Sequence, residues 1–401
     1  MTLAPVDVLV VGLGPAGAAA AIRLARAGLR VTAIDRAVFP RDKICSEFLN
    51  PETVRQLDLL GATEPLRAVS VPLHGARVFG PGGHALTGLF GETPGTRHEP
   101  GMSVPRRLLD QVLVELARAA GVRIIEDCRL TDLLREDGRI IGAIVARGKT
   151  TETIHARVTI GADGLHSVTA RLLGGRLREP LRRYGFVAHV AEVPDVGFTA
   201  EMHVGRGLYV GLNTIGPGLT NVAVVASRAT LAAAGGDPTR FWAEALDRFP
   251  AVRGRVRADR IVRPVLTTGP FATRSRHLVA SGALLIGDAA GFFDPFTGEG
   301  VCTALREAEM AAPVVALALG AAGTPTAEQL DQYRLLRRRA FAGKWAVERL
   351  IGYGMLAPAL FDRAVGRLER RGMGHTLIGV TGEIVPARAV LNPGFLMAMV
   401  V

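Results

Sequence analysis

The sequence predicts an α/β protein: a Rossmann-type dinucleotide-binding domain, an inserted antiparallel-sheet substrate domain, and a C-terminal helical cap. Three stretches carry this prediction. Val8 to Asp35 runs in the order strand, glycine turn, helix, strand, acid. Residues 176–265 return to short alternating runs, the pattern of an antiparallel sheet. Beyond Thr326 the apolar positions take helical spacing, over Gln329 to Leu350 and Phe361 to Arg370.

In the first stretch, the apolar run Val8 to Val11 leads straight into Gly12, Gly14 and Gly17. Gly12 permits the turn, Gly14 lets the backbone approach a pyrophosphate, and Gly17 lets helix and strand pack closely. Pro15 and Ala16 open the helix, whose N-terminus then faces the pyrophosphate. Asp35 ends the second strand, eighteen positions beyond Gly17, where a carboxylate can take a ribose hydroxyl; Arg36 follows it. An acid at this point favours an unphosphorylated ribose, hence FAD or NAD rather than NADP. A GxGxxG alone is a weak signal, and the strand, helix and distal acid around it make the reading dinucleotide binding.

With 401 residues, 48% of them apolar, the chain can bury a large core and form two intimately joined domains. Cys45, Cys128 and Cys302 are an odd number at wide spacing, so neither a disulfide framework nor a metal site is expected, and a reducing cytoplasm fits best. No basic leader and no membrane-spanning stretch is read. The apolar tail from Phe395 could touch a membrane surface, although packing against the body is the expected use. The net charge of +11 raises nucleic acid as a partner, but only Lys43, Lys149 and Lys344 are lysines. The arginines are scattered, and the cluster Arg337 to Arg339 lacks interleaved aromatics, so no nucleic-acid partner is expected.

Further along, Pro40 breaks the chain into a loop holding Cys45 beside the nucleotide unit, and Asn50-Pro51 starts a helix reaching about Leu60. His74, His84 and His98 lie in the glycine-rich segment 64–100 without metal-ligand spacing. Arg106 stands at the start of an amphipathic helix ending near Gly121, where a guanidinium can reach a phosphate or a carboxylate. A short strand at Val158 to Ile160 then meets Gly161-Ala162-Asp163-Gly164, so Asp163 and Gly164 form a second contact surface for the dinucleotide. In the substrate sheet, strands are expected at Phe186–Val193, Ala200–Val204, Leu208–Thr214 and Asn221–Val225, with His189 and His203 read as hydrogen-bonded core residues. The third signature is ALLIGDAAGFFDPFTGEG, Ala283 to Gly300. It delivers Gly287 and Asp288 from a buried strand; Pro295, Gly298, Glu299 and Gly300 then bring backbone amides to a helix N-terminus suited to an electron-rich group.

The ordered set GLGPAG…D, GADG and GDAAGFFDPFTGEG resembles the para-hydroxybenzoate hydroxylase-type flavoprotein superfamily over roughly the first 320 residues. Within it, DPFTGEGV and the cysteine of FPRDKICSEF resemble the geranylgeranyl reductase family. The resemblance implies FAD, with Gly12, Gly14, Gly17 and Asp35 on the ADP half, Arg106 and Asp163 in support, Asp288 on the ribityl chain, and Gly298 and Gly300 beside the ring. The FAD-binding domain then comprises 1–63, 101–175 and 266–325, the substrate domain 64–100 and 176–265, and the helical cap 326–401. One strand departs from the family: Tyr209 is kept, but Gly211, Asn213 and Thr214 stand where reductases carry tryptophan, phenylalanine and proline. A less aromatic, roomier wall follows. Halogenation is not expected, because the WxWxIP segment and lysine of halogenases have no counterpart.

The expected activity is flavin-dependent oxidoreduction of a hydrophobic lipid-like or polyketide-like small molecule, with reduction of a C=C bond ahead of hydroxylation. An acid must supply a proton in the reductase, and Cys45 and Tyr209 are the candidates. No second GxGxxG follows residue 100, so NADPH or NADH would dock transiently, or a separate protein would deliver electrons. A flavin-carrying binding protein without turnover is the alternative of another class.

Overall fold

The computed structural model describes residues 2–96, 99–232 and 236–400; His98 and Val401 lie outside the described residues. Strand Thr2–Val11 occupies the middle of an eight-stranded sheet. It pairs in parallel with Thr150–Gly161 on one side and Val31–Ile34 on the other, and Arg123–Ile125 and Ala283–Leu285 extend the parallel set outward. Parallel neighbours need a crossover, and helix Pro15–Arg26 is the first. Its alanines, Ala18 to Ala21, are fully buried and let it pack closely on helices Arg106–Ala119 and Gly300–Leu319. Residues 129–136, a strand absent from the sequence reading, pair with Arg139–Arg147, which pairs in turn with the long strand Thr150–Gly161. Its charges gave no clean alternation, because most of its side chains stay in solvent.

The second large sheet has seven strands in the order Ile261–Thr268, Arg183–Ala191, Leu219–Ser227, Leu208–Gly216, Thr199–Gly205, Gly75–Phe79, Ala85–Leu89. The strands expected within 176–265 pair antiparallel, whereas Thr199–Gly205 runs parallel to Gly75–Phe79, so the whole sheet is mixed. The hairpin 75–89 arrives from an early segment and docks on an open edge, with no tight turn to impose the opposite direction. One face of the sheet packs on helix Pro238–Leu246, where Trp242 is fully buried and its indole N–H donates to the Val222 carbonyl at 3.2 Å. The other face looks into a large cavity.

Helices Gln332–Gly354, Pro358–Arg370, Gly374–Thr381 and Pro393–Val400 close over that cavity. Asp362 pins the cap to the hairpin tip: its carboxylate accepts from the Gly82 amide at 2.8 Å and lies 2.6 Å from His84 Nδ1. No helix among the described residues is long and apolar enough to cross a membrane. Nor do the described residues bring three or more His, Cys, Asp or Glu together as a metal site.

The sheet contains a buried ion cluster at Glu201. Glu201 meets His203 Nε2 at 2.9 Å and Arg255 at 2.8 Å, while His203 stacks on Phe79 with ring centroids 4.4 Å apart. His203 is therefore the core histidine that the sequence suggests. Burial alone would raise the Glu201 carboxyl, but His203 and Arg255 outweigh it and hold it down at about 2. A depressed carboxyl stabilises the fold above its unfolded value of 4.5, and that contribution disappears as pH falls towards 2. Glu201→Gln should flatten the acid limb of a melting temperature against pH curve in that window; an unchanged limb would mean that the cluster carries none of the acid sensitivity.

Candidate functional site

A single cavity of about 910 Å³ runs from the glycine turn at Gly12 to the cap helix at Val400. At its polar end Gly12 has φ +96, and a side chain there would come within 2.6 Å of the Ala162 carbonyl oxygen. A side chain at Gly17 would collide with the Gly12 carbonyl; Gly17 thus shapes the turn from behind and does not line the cavity. Gly14, Pro15 and Ala16 do line it. Gly14 caps the helix without a side-chain acceptor, leaving the first-turn amides for an anion.

Two guanidiniums face this turn, with Arg41 and Arg106 nitrogens 3.9 and 4.0 Å from the position a Gly14 Cβ would take. Both are held by one fully buried carboxylate. Asp110 accepts from Arg106 Nε and Nη2 at 2.8 Å each and from Arg41 Nη1 at 2.8 Å. Burial opposes the Arg106 charge, but Asp110 more than offsets it and the pKa is raised. Two positive charges on one negative leave a net positive surface for a pyrophosphate. Arg106 was legible in the sequence; Arg41 was not, because its partner Asp110 lies sixty-nine positions away.

Asp35 accepts from the Leu13 amide at 2.7 Å and the Ala37 amide at 2.9 Å, which orients its carboxylate at the cavity wall beside Arg36. Asp163 lines the cavity, and its carboxylate accepts from Ser167 Oγ and from the Val168 and Thr169 amides, the last two at 2.7 and 3.0 Å, so it also steadies the start of the short helix Val168–Leu172 and the Gly164 turn beside the cavity. Arg176, which sequence reasoning missed, ties the second and third motifs together by donating to the Leu165 carbonyl at 2.7 Å and the Asp288 carbonyl at 2.8 Å. Asp288 faces the cavity near Lys43. Burial raises the Asp288 carboxyl against the pull of Lys43, Arg106 and Arg176, and burial lowers Lys43 against the pull of Asp288. The Gly287 amide donates to buried Glu307 at 2.7 Å, which Arg337 secures at 2.7 Å.

Cys45 lines the cavity, its thiol against Arg106 and its carbonyl accepting from Asn221 Nδ2 at 2.8 Å. The loop that carries Lys43 and Cys45 is posted by Glu47, a buried non-glycine residue with φ 59. Its carboxylate accepts from the Arg106 amide at 3.0 Å and lies 2.8 Å from His189 Nε2. His189 thus serves the loop, as a core histidine would.

Pro295, Gly298 and Gly300 border the cavity where helix Gly300–Leu319 begins. Glu299 does not; its carboxyl turns away to Lys344, 3.7 Å distant, which corrects its assignment as a direct cofactor contact. The ring of Tyr209 lines the wall, but its hydroxyl donates to Asp294 at 2.8 Å, and Asp294 is paired with Arg183 at 2.8 Å. Burial and Asp294 raise the phenol well above its usual value, so it is a poor acid. Beyond Tyr209 the walls are mainly apolar, with Val187, Gly211 and Val225 from the sheet and Phe361, Leu368 and Met399 from the cap, and a few polar side chains such as Thr268 and Thr381 among them. Asn213, at the departing position, donates to Ser103 at 2.7 Å and so ties the seven-stranded sheet to the short strand Gly101–Ser103.

The cradle fits FAD on these grounds: a glycine turn with no room for side chains, uncapped helix amides, a paired-guanidinium surface and an acid at the end of the second strand. Known proteins agree. The family described as FAD binding domain matches residues 5–348. A digeranylgeranylglycerophospholipid reductase of Methanothrix thermoacetophila is 30% identical over 330 residues, covering 79% of each chain. Among solved structures, a flavin-dependent brominase triple mutant superposes with TM-score 0.82 at 21% identity, covering 98% of this chain and 99% of that one. A geranylgeranyl bacteriochlorophyll reductase-like protein of Thermoplasma acidophilum gives TM-score 0.74 at 20% identity, covering 100% and 96%.

Removing Arg106 should weaken cofactor retention without abolishing it, since Arg41 remains on Asp110. Arg106→Ala is expected to raise the FAD dissociation constant by about tenfold or more, equivalent to ~1.4 kcal/mol. Quenching of flavin fluorescence on titration measures this, and wild-type affinity would place the pyrophosphate elsewhere.

Proposed function

The chain belongs to the FAD-dependent oxidoreductases of the para-hydroxybenzoate hydroxylase type, with geranylgeranyl reductase-like relatives, and from that premise we propose that it reduces a carbon–carbon double bond in a hydrophobic, lipid-like or polyketide-like small molecule. One observation carries the proposal: the cavity that begins at the dinucleotide turn continues without interruption into an apolar chamber between sheet and cap. A long, flexible apolar substrate needs such a chamber, and it needs no charged partner inside it. The reductase named among the relatives supports the same choice.

Bound FAD supplies hydride chemistry. The protein does the rest. Arg41, Arg106 and the helix amides hold the cofactor's anionic part, Asp35 orients on a ribose, and Asp288 with Lys43 borders the middle of the cradle. Tyr209, Gly211 and the cap side chains keep water from the reacting carbons. Leu360, Met397 and Val400 are half or more exposed at the cap, and Leu360 and Val400 also line the cavity. We infer that this rim meets a lipid surface when substrate enters, as a peripheral contact. Electrons would come from a nicotinamide nucleotide that docks transiently, or from a separate donor protein.

The reading is tested by reducing the purified protein without oxygen and adding prenyl-chain alkenes. Flavin reoxidation with formation of the saturated product is the expected result. Dependence on oxygen, with one oxygen atom entering an aromatic or polyketide product, would make the protein a monooxygenase instead. A flavin that is reduced and reoxidised with no change in any such compound would leave a flavin-carrying binding protein.

A further inference from the structure

We propose that Gly211, Ala223, Asn213 and Asn221 build a subsite for a flat, hydroxyl-bearing ring, which lies on the two small residues and presents its hydroxyl to the paired asparagine amide oxygens. This rests on the alkene-reduction reading and deepens it: the ring is one end of the substrate, and the apolar remainder runs on between sheet and cap.

Strand register makes the floor. On the cavity face of the seven-stranded sheet, Val187, Ala223, Gly211 and Met202 stand opposite one another on four neighbouring strands, and all four line the cavity. The middle two carry only a methyl group and a hydrogen, so between Val187 and Met202 a gap two strand spacings wide, about 10 Å, opens. Along the strands, where same-face residues lie two apart, Tyr209 and Val225 bound the gap on one side, and Asn213 and Asn221 bound it on the other. Tyr209 meets Phe296 of the third motif with ring centroids 5.2 Å apart, so the gap adjoins the part of the cradle that Pro295 and Gly298 border. An extended hydrocarbon chain covers one strand spacing of such a floor, whereas a fused pair of rings covers both.

Packing does not demand a glycine at position 211. Its backbone has ordinary strand conformation, and a Cβ there would first meet the Met202 thioether, Sδ at 3.1 Å and Cε at 3.8 Å, the movable end of a side chain. Gly88 in the same sheet differs, because a Cβ there would come within 2.4 Å of the Gly374 carbonyl oxygen. A glycine inside a strand weakens it, so what Gly211 contributes is room.

The neighbours fix the direction of both amides. Ser103 Oγ donates to the Glu47 carbonyl at 3.0 Å, so Asn213 must offer it Nδ2, at 2.7 Å, and keeps Oδ1 as its acceptor. Asn221 Nδ2 donates to the Cys45 carbonyl at 2.8 Å and to the Glu47 carboxylate at 3.4 Å. Its Oδ1 is buried with no hydrogen-bond partner among the described residues. Asn213, which lines the cavity, and Asn221 are directly opposed, and they are 4% and 1% exposed. A buried acceptor without a donor is costly. A neutral hydroxyl supplies that donor; a ketone or an ether does not, since each only accepts.

Binding to the oxidised, FAD-loaded protein tests the subsite without turnover, through the change that a bound ring makes in the flavin absorption spectrum. Three probes are compared: naphthol, naphthalene, which lacks the hydroxyl, and the linear alcohol farnesol, which lacks the ring. Naphthol should bind about tenfold more tightly than naphthalene, and Asn213→Leu should erase that preference. A purely structural role for Asn213 would shift both ring probes alike and leave their ratio unchanged, which overturns the hydroxyl contact. Gly211→Leu should weaken both ring probes about tenfold more than it weakens farnesol. Retained FAD and an unchanged melting temperature show that a variant is folded; if Gly211→Leu is not, Ala223→Leu narrows the same gap from the next strand and carries the same expectation. Equal wild-type affinity for naphthol and naphthalene, or equal losses of ring and farnesol binding in the leucine variant, overturns the proposal. Ring binding as expected, with no alkene reduced in the absence of oxygen, keeps the subsite and removes the reductase reading. Reduction of a prenyl alkene by a protein that binds no naphthol keeps that reading and removes the subsite.

Discussion

The close approach of the first glycine turn to the second motif is the constraint on which the rest of this structure depends. Strand Thr2–Val11 pairs in register with Thr150–Gly161, so Gly12 and Ala162 end side by side. Contact at that point leaves no room for a Cβ on Gly12, and its helix is drawn in by Gly17 from behind. Everything polar in the cradle takes its position from there. The third motif follows because Ala283–Leu285 pairs with the same long strand and Arg176 bridges the two turns.

Charge is then distributed in two very different ways along one cavity. At the turn, two guanidiniums share Asp110, and the surplus is positive and fixed. At the start of helix Gly300–Leu319, Glu299 and Glu383 meet Lys344, and Glu383 also meets Arg306, so the charges there are paired with one another behind the cavity wall. A preorganised positive surface suits an anion that stays bound.

The departing strand shows how a local exchange of residues reshapes a wall without loosening the frame. Gly211 faces the cavity and yields space, whereas Asn213 turns to Ser103 and Thr214 to the Val196 carbonyl at 3.1 Å. The aromatic mass expected there from the reductase pattern is thus replaced partly by space and partly by hydrogen bonds between strands. Tyr209 remains, locked by Asp294 and Arg183.

Local chemistry was legible in the sequence, and long-range pairing was not. The three glycine-bearing motifs, the helix after each, and the acid at Asp35 are short-range requirements of a dinucleotide turn, so each leaves its mark within a few residues. They determined the fold class, the cofactor and the polar half of the site, including Arg106. Which way a side chain points depends on partners far along the chain. Only the tertiary structure gave Asp163 a helix start to steady and turned Glu299 from the cavity towards Lys344. It also set Arg41 on Asp110 and brought Arg176 between two loops. Direction in the second sheet was likewise decided by an edge that forms from distant segments, because strand alternation encodes which face is buried and carries no record of the neighbour.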